Sequence, residues 1–463
     1  MHLRTGLVTE APLRRLPARQ VSTLVDSIVR VLSGSYLVIV LGLVVAYKAE
    51  FMSALRTDVA FGIYGIVVST YLLSRFVISI FYRQAPDIGL EPHVAIISPA
   101  FNEEKIIALS LRSLLALDYP PEKLEIVAVN DGSTDNTLAA LRKVEATAGG
   151  RVHVIDFAQN RGKRAAMSAG IRATSAEILV FVDSDSVLEP DALTKLVQPF
   201  GDPRIGAVCG HSGVLNVGAN WLTRMQAVRY FVAFKVLKGA ESLFGAVTCC
   251  SGCFSAYRRC AVTPSLDWWE KQMWLGRPST FGDDRSLTNC VLRNWRVVYQ
   301  GSAVAHTEVP DSFRVFMRQQ MRWKRSWTRE SVMSATFMWR KHPIAALGTY
   351  IGIALPLIAP VIVVRALLWR PLMDGAGIPM IYPVGVYAMA LIYSLYYALR
   401  HPRYDSCWIY GVAFVGFYIT FMLWQTYWAI LTSRSGSWGT RPTTAGNGPP
   451  DSGGPPAPVA GLA

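Results

Sequence analysis

Long apolar runs near both ends of the chain enclose a middle region in which apolar stretches are shorter and alternate with polar ones. Residues 31–47 and 59–82 are almost purely apolar, and each approaches the roughly 20 residues that a bilayer-spanning helix needs. Three more such runs follow the middle region, at 343–369, 376–399 and 408–431. The pattern predicts an α-helical transmembrane protein with a soluble domain between its second and third apolar helices.

The middle region, residues 90–310, has the composition of a soluble α/β domain. Four short apolar runs typical of buried strands alternate with three stretches that are able to form helices. The expected strands are 93–99, 124–129, 151–156 and 177–183, and the expected helices are 103–117, 135–148 and 163–174. This alternation predicts a parallel, Rossmann-type sheet covered by helices.

The charges at the start of the chain predict its orientation. Five arginines lie within residues 1–30, so this segment is expected to stay in the cytoplasm. Two crossings within residues 31–82 then return the chain to the cytoplasm, where the 90–310 domain would lie. A cleavable signal peptide is the alternative for the first run, but no small-x-small cleavage site follows it. The Pro- and Gly-rich tail, residues 442–463, is predicted to be disordered.

Two stretches mix cationic and aromatic residues in a way that favours amphipathic helices lying on a membrane. They are 221–244 and 311–342, and the second contains five Lys/Arg and two Trp within residues 318–330. The formal net charge of +14 and the mean hydropathy of +0.28 together favour anionic lipid as a partner. No nucleic-acid-binding module is found, and Trp327 is interpreted as an interfacial anchor.

Acidic residues follow two of the expected strands, at the edge where open α/β sheets bind ligands. Asp131 follows the second strand, whereas Asp183 and Asp185 follow the fourth and point to the same side of an extended segment. Two carboxylates on one side suit a hard divalent cation, and such a cation can bridge a diphosphate. The alternative for this Asp-x-Asp pattern is a solvated loop or a helix N-cap.

Two further charged pairs are candidates for chemistry. Lys163 and Arg164 lie at an expected helix start, which suits phosphate, although basic pairs often only face solvent. Asp283 and Asp284 are adjacent, so their repulsion is expected to raise the pKa of one of them and favour a general base. The alternative for this pair is an N-cap of a helix that starts near Arg285.

Taken in chain order, these motifs resemble those of the family 2 glycosyltransferases, which have the GT-A fold. The matching segments are PAFNEE (99–104), NDGSTD (130–135), DSD (183–185), GDDR (282–285) and QQMRW (319–323). The last resembles the Q-x-x-R-W signature of processive members. Three further segments are similar to hyaluronan synthases and chitin-oligosaccharide synthases, namely CCSGCFSAYRR (249–259), DDRSLTNCVLR (283–293) and SWGTR (437–441).

The resemblance implies a role for each residue of the donor site. A UDP-sugar would be held by Asp131, Asp183, Lys163, Arg164 and Arg322, and Asp185 would ligate Mg²⁺ or Mn²⁺ at the diphosphate. Asp284 would be the catalytic base that takes the proton of the acceptor hydroxyl. The expected reaction is a single inverting displacement that gives a β-linkage.

The resemblance also implies an acceptor site and a closing loop. Trp323, Gln319 and Cys250 would contact the growing polysaccharide. Trp438 and Arg441, in the gating loop 432–441, would close over the donor. The chain departs from the hyaluronan synthase pattern at Cys253, where Pro is usual, and at Ser286, where His or Cys often stands.

The function expected from these features is processive polymerisation of UDP-N-acetylglucosamine, with UDP-glucuronate in the hyaluronan-like case, and export of the product through the cell membrane. Three alternatives remain open: a chitin- or cellulose-type homopolymer synthase, a transferase that adds one sugar to a lipid, and a transporter without catalysis. A full crossing by 408–431 would place the gating loop outside the cell, so a re-entrant or interfacial helix is favoured there. The oligomeric state is left open.

Overall fold

The computed structural model describes residues 59–375, 381–400 and 407–436, together with Ser35, Val38 and Gly42. The predictions for the N-terminal segment, the first apolar helix, the gating residues Trp438 and Arg441 and the tail therefore lie outside the described residues. All statements below concern the described part of the chain.

Eight strands form one mixed sheet in the order β3-β2-β1-β4-β7-β6-β10-β5. Strands β1 to β4 are mutually parallel, as the apolar runs predict, whereas β7 is antiparallel to both of its neighbours and β5 is antiparallel to β10. The expected all-parallel sheet is therefore correct for the first half of the domain and wrong for the second. The strands are β1 (Val94–Ala100), β2 (Leu124–Asn130), β3 (Val152–Asp156), β4 (Ile178–Phe181), β5 (Ser186–Leu188), β6 (Ile205–Val214), β7 (Ser255–Arg258) and β10 (Arg296–Thr307). A separate hairpin consists of β8 (Met273–Trp274) and β9 (Arg277–Pro278).

Sixteen α-helical segments are described. Those up to the end of the sheet are α1 (Val59–Ile80), α2 (Ile107–Leu115), α3 (Thr137–Thr147), α4 (Lys163–Ala173), α5 (Ala192–Val197), α6 (Trp221–Phe231), α7 (Gly239–Ser242), α8 (Arg259–Val262), α9 (Leu266–Glu270) and α10 (Asp283–Leu292). After the sheet come α11 (Phe313–Ala335), α12 (Pro343–Val364), α13 (Arg370–Met373), α14 (Ile381–Arg400), α15 (Trp408–Phe417) and α16 (Gln425–Leu431). Short 3₁₀ turns occupy Pro121–Lys123, Gln198–Gly201, Thr263–Ser265 and Met338–Arg340, and π-helical turns occupy Val232–Lys238, Arg365–Trp369 and Tyr418–Met422.

The sheet is the middle layer of three. Helices α2, α3 and α5 cover one face and bury a core that includes Leu111, Leu141 and Leu196. Helices α4, α9 and α10 cover the other face, where Met167 and Trp269 are buried. The strands are buried on both faces, which explains why they appear in the sequence as continuous apolar runs rather than alternating ones.

The apolar helices pack against the second face and against each other. Two of the described helices are long and apolar enough to cross a membrane, Val59–Ile80 and Pro343–Met373, and a third candidate is a pair bent by 44°, Trp408–Met422 with Gln425–Leu431. The bend falls within the run 408–431, for which a re-entrant or interfacial course is expected. Both courses are compatible with this bend.

Two basic helices connect the α/β domain to the apolar ones. The predicted segment 221–244 is α6 continued through π-helical turns into α7, and its Phe231 packs on Tyr396 and Tyr397 of α14. The predicted segment 311–342 is chiefly α11, where Arg325 Nε donates to Thr432 Oγ1 at 3.0 Å and Lys324 donates to the carbonyl of Met422. Both helices thus lie between the sheet and the apolar helices.

Candidate active site

The candidate donor site is built at the carboxyl ends of β2 and β4, where the parallel strands end side by side. After β2, Asp131 accepts hydrogen bonds from the backbone N–H groups of Arg161 and Gly162, at 2.7 and 3.0 Å. Gly162 is the N-cap of α4 and has φ of +92°, a conformation that suits glycine. This contact fixes the start of α4, and therefore the position of Lys163, against the end of β2.

Lys163 is the centre of an acidic cluster. Its Nζ lies 2.5 Å from Asp183 Oδ1 and 3.3 Å from Asp283 Oδ2. Burial alone would lower the pKa of Lys163, but the carboxylates of Asp183 and Asp283 outweigh burial and raise it. The structure therefore brings the Asp-x-Asp motif and the Gly-Asp-Asp-Arg motif, a hundred residues apart in sequence, onto one ammonium group.

The pKa values of the two adjacent aspartates of this cluster are shifted in opposite directions. Burial acts to raise the pKa of Asp283, but Lys163 and Arg164 outweigh it and hold that pKa below the usual range. Burial raises the pKa of Asp284, and the charge of Asp283 raises it further. One carboxylate is thus held ionised by cations, while its neighbour has the raised proton affinity that suits a general base.

Asp284 is held by contacts on both of its oxygens. Its Oδ1 accepts from the backbone N–H of Arg285 at 2.7 Å, and the Cys249 thiol lies 3.6 Å from its Oδ2. The N-cap interpretation of the Asp pair is wrong, because the N-cap of α10 is Gly282 and the helix begins at Asp283. Asp284 therefore lies in the first turn, with its side chain positioned beside Cys249.

Asp185 lies deeper in the same region. It accepts from Thr307 Oγ1 at 3.3 Å and from Ser186 Oγ at 3.4 Å. Burial, together with the neighbouring charge of Asp183, raises the pKa of Asp185 to about 6. Two carboxylates crowded in this way favour an added cation, which removes their repulsion.

The donor set fits a hard cation. Within the described ranges no group of three or more His, Cys, Asp or Glu converges as a closed metal site. Mg²⁺ and Mn²⁺ sites of nucleotide enzymes commonly take one or two carboxylates and complete their shell with substrate phosphates and water. Asp185, with Asp183 beside it, fits that arrangement, and a bound cation would supply positive charge at the diphosphate.

Chelation of the divalent cation is predicted to lower activity strongly. EDTA treatment followed by removal of the chelator should lower turnover by about 10²-fold or more, because a metal at a transferring group supplies several kcal/mol of charge stabilisation. Readdition of Mn²⁺ should restore the wild type but not Asp185→Asn. The exposed Asp311→Asn is the matched control and should behave as the wild type in this UDP-release assay.

The loop that leads into Asp283 fits closely against α11. Gly282 has φ of +75°, and a Cβ at this position would lie 1.9 Å from Ser326 Oγ. Farther along, Arg329 Nη2 donates to the carbonyl of Phe281 at 2.6 Å. Glu330 pairs with Arg329 at 2.6 Å and accepts from Asn289 Nδ2 of α10 at 3.2 Å. These contacts fix α11, which carries the Q-x-x-R-W motif, against α10, which carries Asp284.

The residues of the Q-x-x-R-W motif lie on α11 before this junction. Trp323 is 37% exposed, and the Arg229 guanidinium from α6 lies 5.6 Å from its ring centroid. Gln319 is half-buried and accepts from Gln320 Nε2 at 3.4 Å, and Arg322 is half-buried beside Trp323. Trp323 lies three residues before Ser326, which contacts the Gly282 loop, and its indole is partly exposed.

Two predicted site residues make their hydrogen bonds outside the acidic cluster. Arg164 is buried, its Nη1 donates to the carbonyl of Trp269 at 2.8 Å, and its guanidinium lies over the Trp269 ring. Cys250 is buried and its backbone N–H donates to Thr288 Oγ1 of α10 at 2.9 Å. The Arg164 side chain thus binds α9 and the Cys250 backbone binds α10, and direct contact with substrate stays a prediction for both residues.

The loop after Cys250 reaches the donor side. A Cβ at Gly252 would lie 3.1 Å from Asp183 Oδ1 and 3.3 Å from Lys163 Nζ. The Cys-Ser-Gly segment therefore forms a wall of the acidic cluster.

The described chain ends close to the same cluster. Thr280 Oγ1 donates to the carbonyl of Gly436 at 2.7 Å, and Trp274 Nε1 donates to Ser433 Oγ at 3.2 Å. The bend after Met422 thus returns the chain to the loop that precedes Asp283. Residues 437–441, which include the predicted gating residues, follow directly from this anchor.

Sequence reasoning missed two members of the cluster as functional residues. Asp283 was expected only as the neighbour that perturbs Asp284, yet it forms an ion pair with Lys163. Cys249 enters the sequence analysis only as the first residue of the segment CCSGCFSAYRR, yet it contacts Asp284. The signal in the sequence that could have pointed to Cys249 is its position directly before the Cys-Ser-Gly segment, which begins at Cys250.

Comparisons with known proteins show the family of this chain. Residues 95–263 match the family model described as glycosyl transferase family 2. A hyaluronan synthase of Streptococcus pyogenes is 32% identical over 390 residues, which cover 82% of this chain and 90% of that protein. An N-acetylglucosaminyltransferase of Azorhizobium caulinodans is 40% identical over 247 residues, 53% of this chain and 62% of that protein.

A solved structure supports the fold. The mannosyltransferase PcManGT of Pyrobaculum calidifontis, in complex with GDP-Man and Mn²⁺, superposes with a TM-score of 0.56 at 22% identity, covering 81% of this chain and 98% of that one. The α/β domain is therefore GT-A-like, with a mixed sheet. The chain belongs to glycosyl transferase family 2 and is a UDP-sugar glycosyltransferase of the hyaluronan synthase type.

Proposed function

We propose that the chain is a membrane-embedded, processive, inverting β-glycosyltransferase that polymerises UDP-sugars and exports the product. The donors proposed are UDP-N-acetylglucosamine together with UDP-glucuronate. The observation that carries the proposal is that Asp183 and Asp283, the latter in the first turn of α10, both pair with Lys163. The helix with the Q-x-x-R-W motif is hydrogen-bonded to the same α10. The length over which the streptococcal hyaluronan synthase matches supports the same assignment.

The proposed reaction is one displacement at the anomeric carbon. The acceptor hydroxyl oxygen forms the new bond while the bond from the anomeric carbon to the UDP oxygen breaks, and Asp284 accepts the hydroxyl proton. The raised pKa of Asp284 supports this role, because a base with a higher proton affinity takes up the proton more readily. Attack opposite to the leaving UDP inverts an α-linked donor into a β-linked product.

We place the UDP-sugar donor at the carboxyl ends of β2 and β4, where the residues proposed to bind it lie. Asp131 and Asp183 would contact the nucleotide, Asp185 would hold the cation, and Lys163 and Arg322 would face the diphosphate. Lys163 is bonded to Asp183 and Asp283 in this structure, so a diphosphate would compete with these carboxylates for it. Fixed positive charge placed where negative charge develops is usually the largest catalytic contribution.

The acceptor is proposed to lie on Trp323, with Gln319 beside it and Cys250 supporting the opposite wall. The C–H face of a sugar ring packs well on an aromatic surface, and Trp323 is partly exposed and held by Arg229. Trp438 and Arg441 are proposed to close over the donor. The anchor between Thr280 and Gly436 supports this closure, because it fixes the start of their segment beside the Gly-Asp-Asp loop.

The membrane arrangement is part of the proposal. Helices Val59–Ile80 and Pro343–Met373 are suited by length and composition to span the bilayer of the cell membrane, with the α/β domain in the cytoplasm. The basic helices α6 and α11 would then lie at the cytoplasmic interface, with lipid as their partner. The bent pair after residue 408 would be re-entrant, which keeps Gly436 on the cytoplasmic side beside Thr280.

A homopolymer synthase is the second candidate. The match to an N-acetylglucosaminyltransferase, 40% identical over 247 residues, favours N-acetylglucosamine as one of the sugars and leaves the second sugar to experiment. Purified protein in nanodiscs, supplied with Mn²⁺ and with single or paired UDP-sugars, tests both. We expect high-molecular-mass product that requires both donors and is degraded by hyaluronidase. Polymer from UDP-N-acetylglucosamine alone supports the second candidate, and transfer of one sugar to lipid contradicts both.

Removal of the Trp323 ring is predicted to impair elongation more than donor turnover. Trp323→Ala should lower the polymerisation rate by up to about tenfold, because an aromatic contact contributes roughly 0.5–1.5 kcal/mol beyond the area it buries. Trp323→Phe should retain most of the rate. Trp339→Ala, which removes an exposed indole after the same helix, is the control and should leave product length unchanged. Equal losses in all three variants would contradict an acceptor role.

A further inference from the structure

The buried hydroxyl of Thr288, on α10, connects three parts of the described chain. Thr288 lies one helical turn after the proposed base Asp284 and is fully buried. Its Oγ1 donates to the backbone carbonyl of Asp284 at 2.7 Å and accepts from the backbone N–H of Cys250 at 2.9 Å. The hydroxyl of Tyr257, on β7, lies 3.2 Å from the same oxygen. This hydroxyl therefore joins the turn that carries the base, the Cys-Ser-Gly loop and a strand of the central sheet.

These three contacts use the whole hydrogen-bonding capacity of the Thr288 hydroxyl. A threonine hydroxyl has one proton to donate and two lone pairs with which to accept. The proton goes to the Asp284 carbonyl, so the lone pairs receive the N–H of Cys250 and the O–H of Tyr257. Cys250 and Tyr257 are themselves buried. Loss of the hydroxyl would leave both of these donors without a partner, which is costly in a buried position.

The Cys-Ser-Gly loop has a second, independent attachment just before Cys250. Glu241 accepts from the backbone N–H of Thr248 at 3.0 Å and from the Thr248 hydroxyl at 3.1 Å. Cys249 therefore lies between two attached residues, Thr248 and Cys250. The bond from Cys250 to Thr288 is the attachment that fixes Cys249 relative to the helix of the base.

The two carboxylate oxygens of Asp284 have different surroundings. Oδ1 accepts from the backbone N–H of Arg285 at 2.7 Å, whereas Oδ2 has the Cys249 thiol at 3.6 Å. A thiol is a weak donor, so Oδ2 is the oxygen better able to accept a proton. Burial raises the pKa of the Cys249 thiol to about 12, so the thiol stays neutral and does not act as a base or nucleophile. Asp284 and Cys249 are both partly exposed, as contact with an acceptor requires.

We propose that Thr288 is a positioning residue for sugar transfer: its hydroxyl holds Asp284 against the Cys249 loop, so that Oδ2 of Asp284 receives the acceptor hydroxyl on the side of the thiol. This inference rests on the proposed transferase function and identifies what fixes the base relative to its acceptor. Thr288 is buried and acts only through Asp284 and the loop. Misplacement of a reacting group by about 1 Å can lower a rate by about 10²-fold.

Isosteric variants of the full-length protein in nanodiscs test this inference. Thr288→Val replaces the hydroxyl by a methyl group and removes all three hydrogen bonds. With the UDP-sugars that the wild type transfers, kcat for UDP release should fall by about tenfold or more, while the affinity for UDP with Mn²⁺ stays within about threefold. Thr288→Ser keeps the hydroxyl and should retain most of the wild-type kcat. Tyr257→Phe removes only the contact with β7 and should give a smaller loss than Thr288→Val.

A threonine outside the site provides the matched control. Thr223, in the first turn of α6, is also fully buried. Its Oγ1 donates to the carbonyls of Val217 and Asn220, at 3.1 and 2.8 Å, and accepts from the N–H of Asn220 at 3.1 Å. Thr223→Val therefore loses a comparable set of hydrogen bonds and should lower the Tm in a similar way. Its kcat, taken per UDP-binding site, should stay close to that of the wild type.

Other outcomes overturn the inference. An unchanged kcat in Thr288→Val would show that the hydroxyl does not position the base. A comparable loss of kcat in Thr223→Val, or a loss of UDP affinity that matches the loss of kcat, would show a general structural role. If Thr288→Val does not bind UDP, Thr288→Cys, whose thiol bonds only weakly, takes its place, and a wild-type kcat in that variant contradicts the inference.

Failure of this inference can be told apart from failure of the proposed function. UDP release and sugar transfer by the wild type are measured in the same assay. Transfer by the wild type that does not depend on the Thr288 hydroxyl refutes this inference alone. Absence of transfer from every UDP-sugar supplied refutes the proposed function, and this inference with it.

Discussion

Replacing Asp284 by asparagine is expected to lower the rate of sugar transfer by about 10²- to 10⁴-fold, the range that a positioned general base contributes. The amide keeps the shape of the side chain, and its oxygen can still accept from the Arg285 N–H, but it cannot accept the proton of the acceptor hydroxyl. Donor binding should stay within a few-fold of the wild type, because the Lys163 contacts with Asp183 and Asp283 remain. UDP release and UDP binding, measured on the same preparation, check both parts.

The pH dependence of the wild type provides an independent check. Burial and the charge of Asp283 raise the pKa of Asp284, and the base must be ionised to act. Activity should therefore fall as the pH is lowered through this raised pKa, at a higher pH than an ordinary aspartate would give. Asp267→Asn, at an exposed surface carboxylate, should leave both rate and profile unchanged. Retention of turnover by Asp284→Asn would contradict the assignment and favour a binding protein without catalysis.

The second large effect is expected at Gly282, where α11 and the Gly-Asp-Asp loop meet. Gly282→Ala places a Cβ at φ of +75°, which costs roughly 1–2 kcal/mol. The same Cβ would lie 1.9 Å from Ser326 Oγ, and overpacking of this kind costs roughly 1–3 kcal/mol more. The loop and α11 must separate to relieve it, so we expect loss of transferase activity together with a lower Tm.

A matched glycine separates the effect of backbone strain from the effect of the overlap with Ser326. Gly276, in the β8–β9 turn, has φ of +81°, but a Cβ there would meet nothing within 4 Å. Gly276→Ala should therefore show only the backbone strain and keep most of the activity. Ser326→Gly in the Gly282→Ala background should recover part of the activity by removing the overlapping hydroxyl. Equal effects of Gly282→Ala and Gly276→Ala would show that the contact with α11 does not position the site.

The first half of the sheet could be predicted from the sequence because its strands are buried on both faces. Such strands appear as continuous apolar runs, and the observed β2 (Leu124–Asn130) and β3 (Val152–Asp156) begin and end within one residue of the expected ones. Strands β5 and β7 have three and four residues, too short for a periodic signal. Their antiparallel pairing depends on tertiary contacts with β10 and β4, so the mixed character of the sheet was not predictable from the pattern.

The location of a candidate site residue could be predicted from the sequence where that residue directly follows a strand. Asp131 and Asp183 are such residues. The pairing of Lys163 with Asp283 joins segments 120 residues apart and depends on the tertiary contact between the starts of α4 and α10. The contacts of Thr288 were missed for a similar reason, since Thr288 appears in the sequence only as a polar residue of the segment DDRSLTNCVLR.

The central claim is that the acidic motifs and the Q-x-x-R-W helix serve one nucleotide-sugar. A cryo-electron microscopy structure of the full-length protein in nanodiscs with Mn²⁺ and UDP tests it most directly. We predict that UDP lies at the carboxyl ends of β2 and β4, with Asp131 at the uridine, Asp185 on the cation, and Asp284 and Trp323 facing the same space beyond the diphosphate. A nucleotide bound in another cavity, or Asp284 and Trp323 facing away from it, would contradict the account.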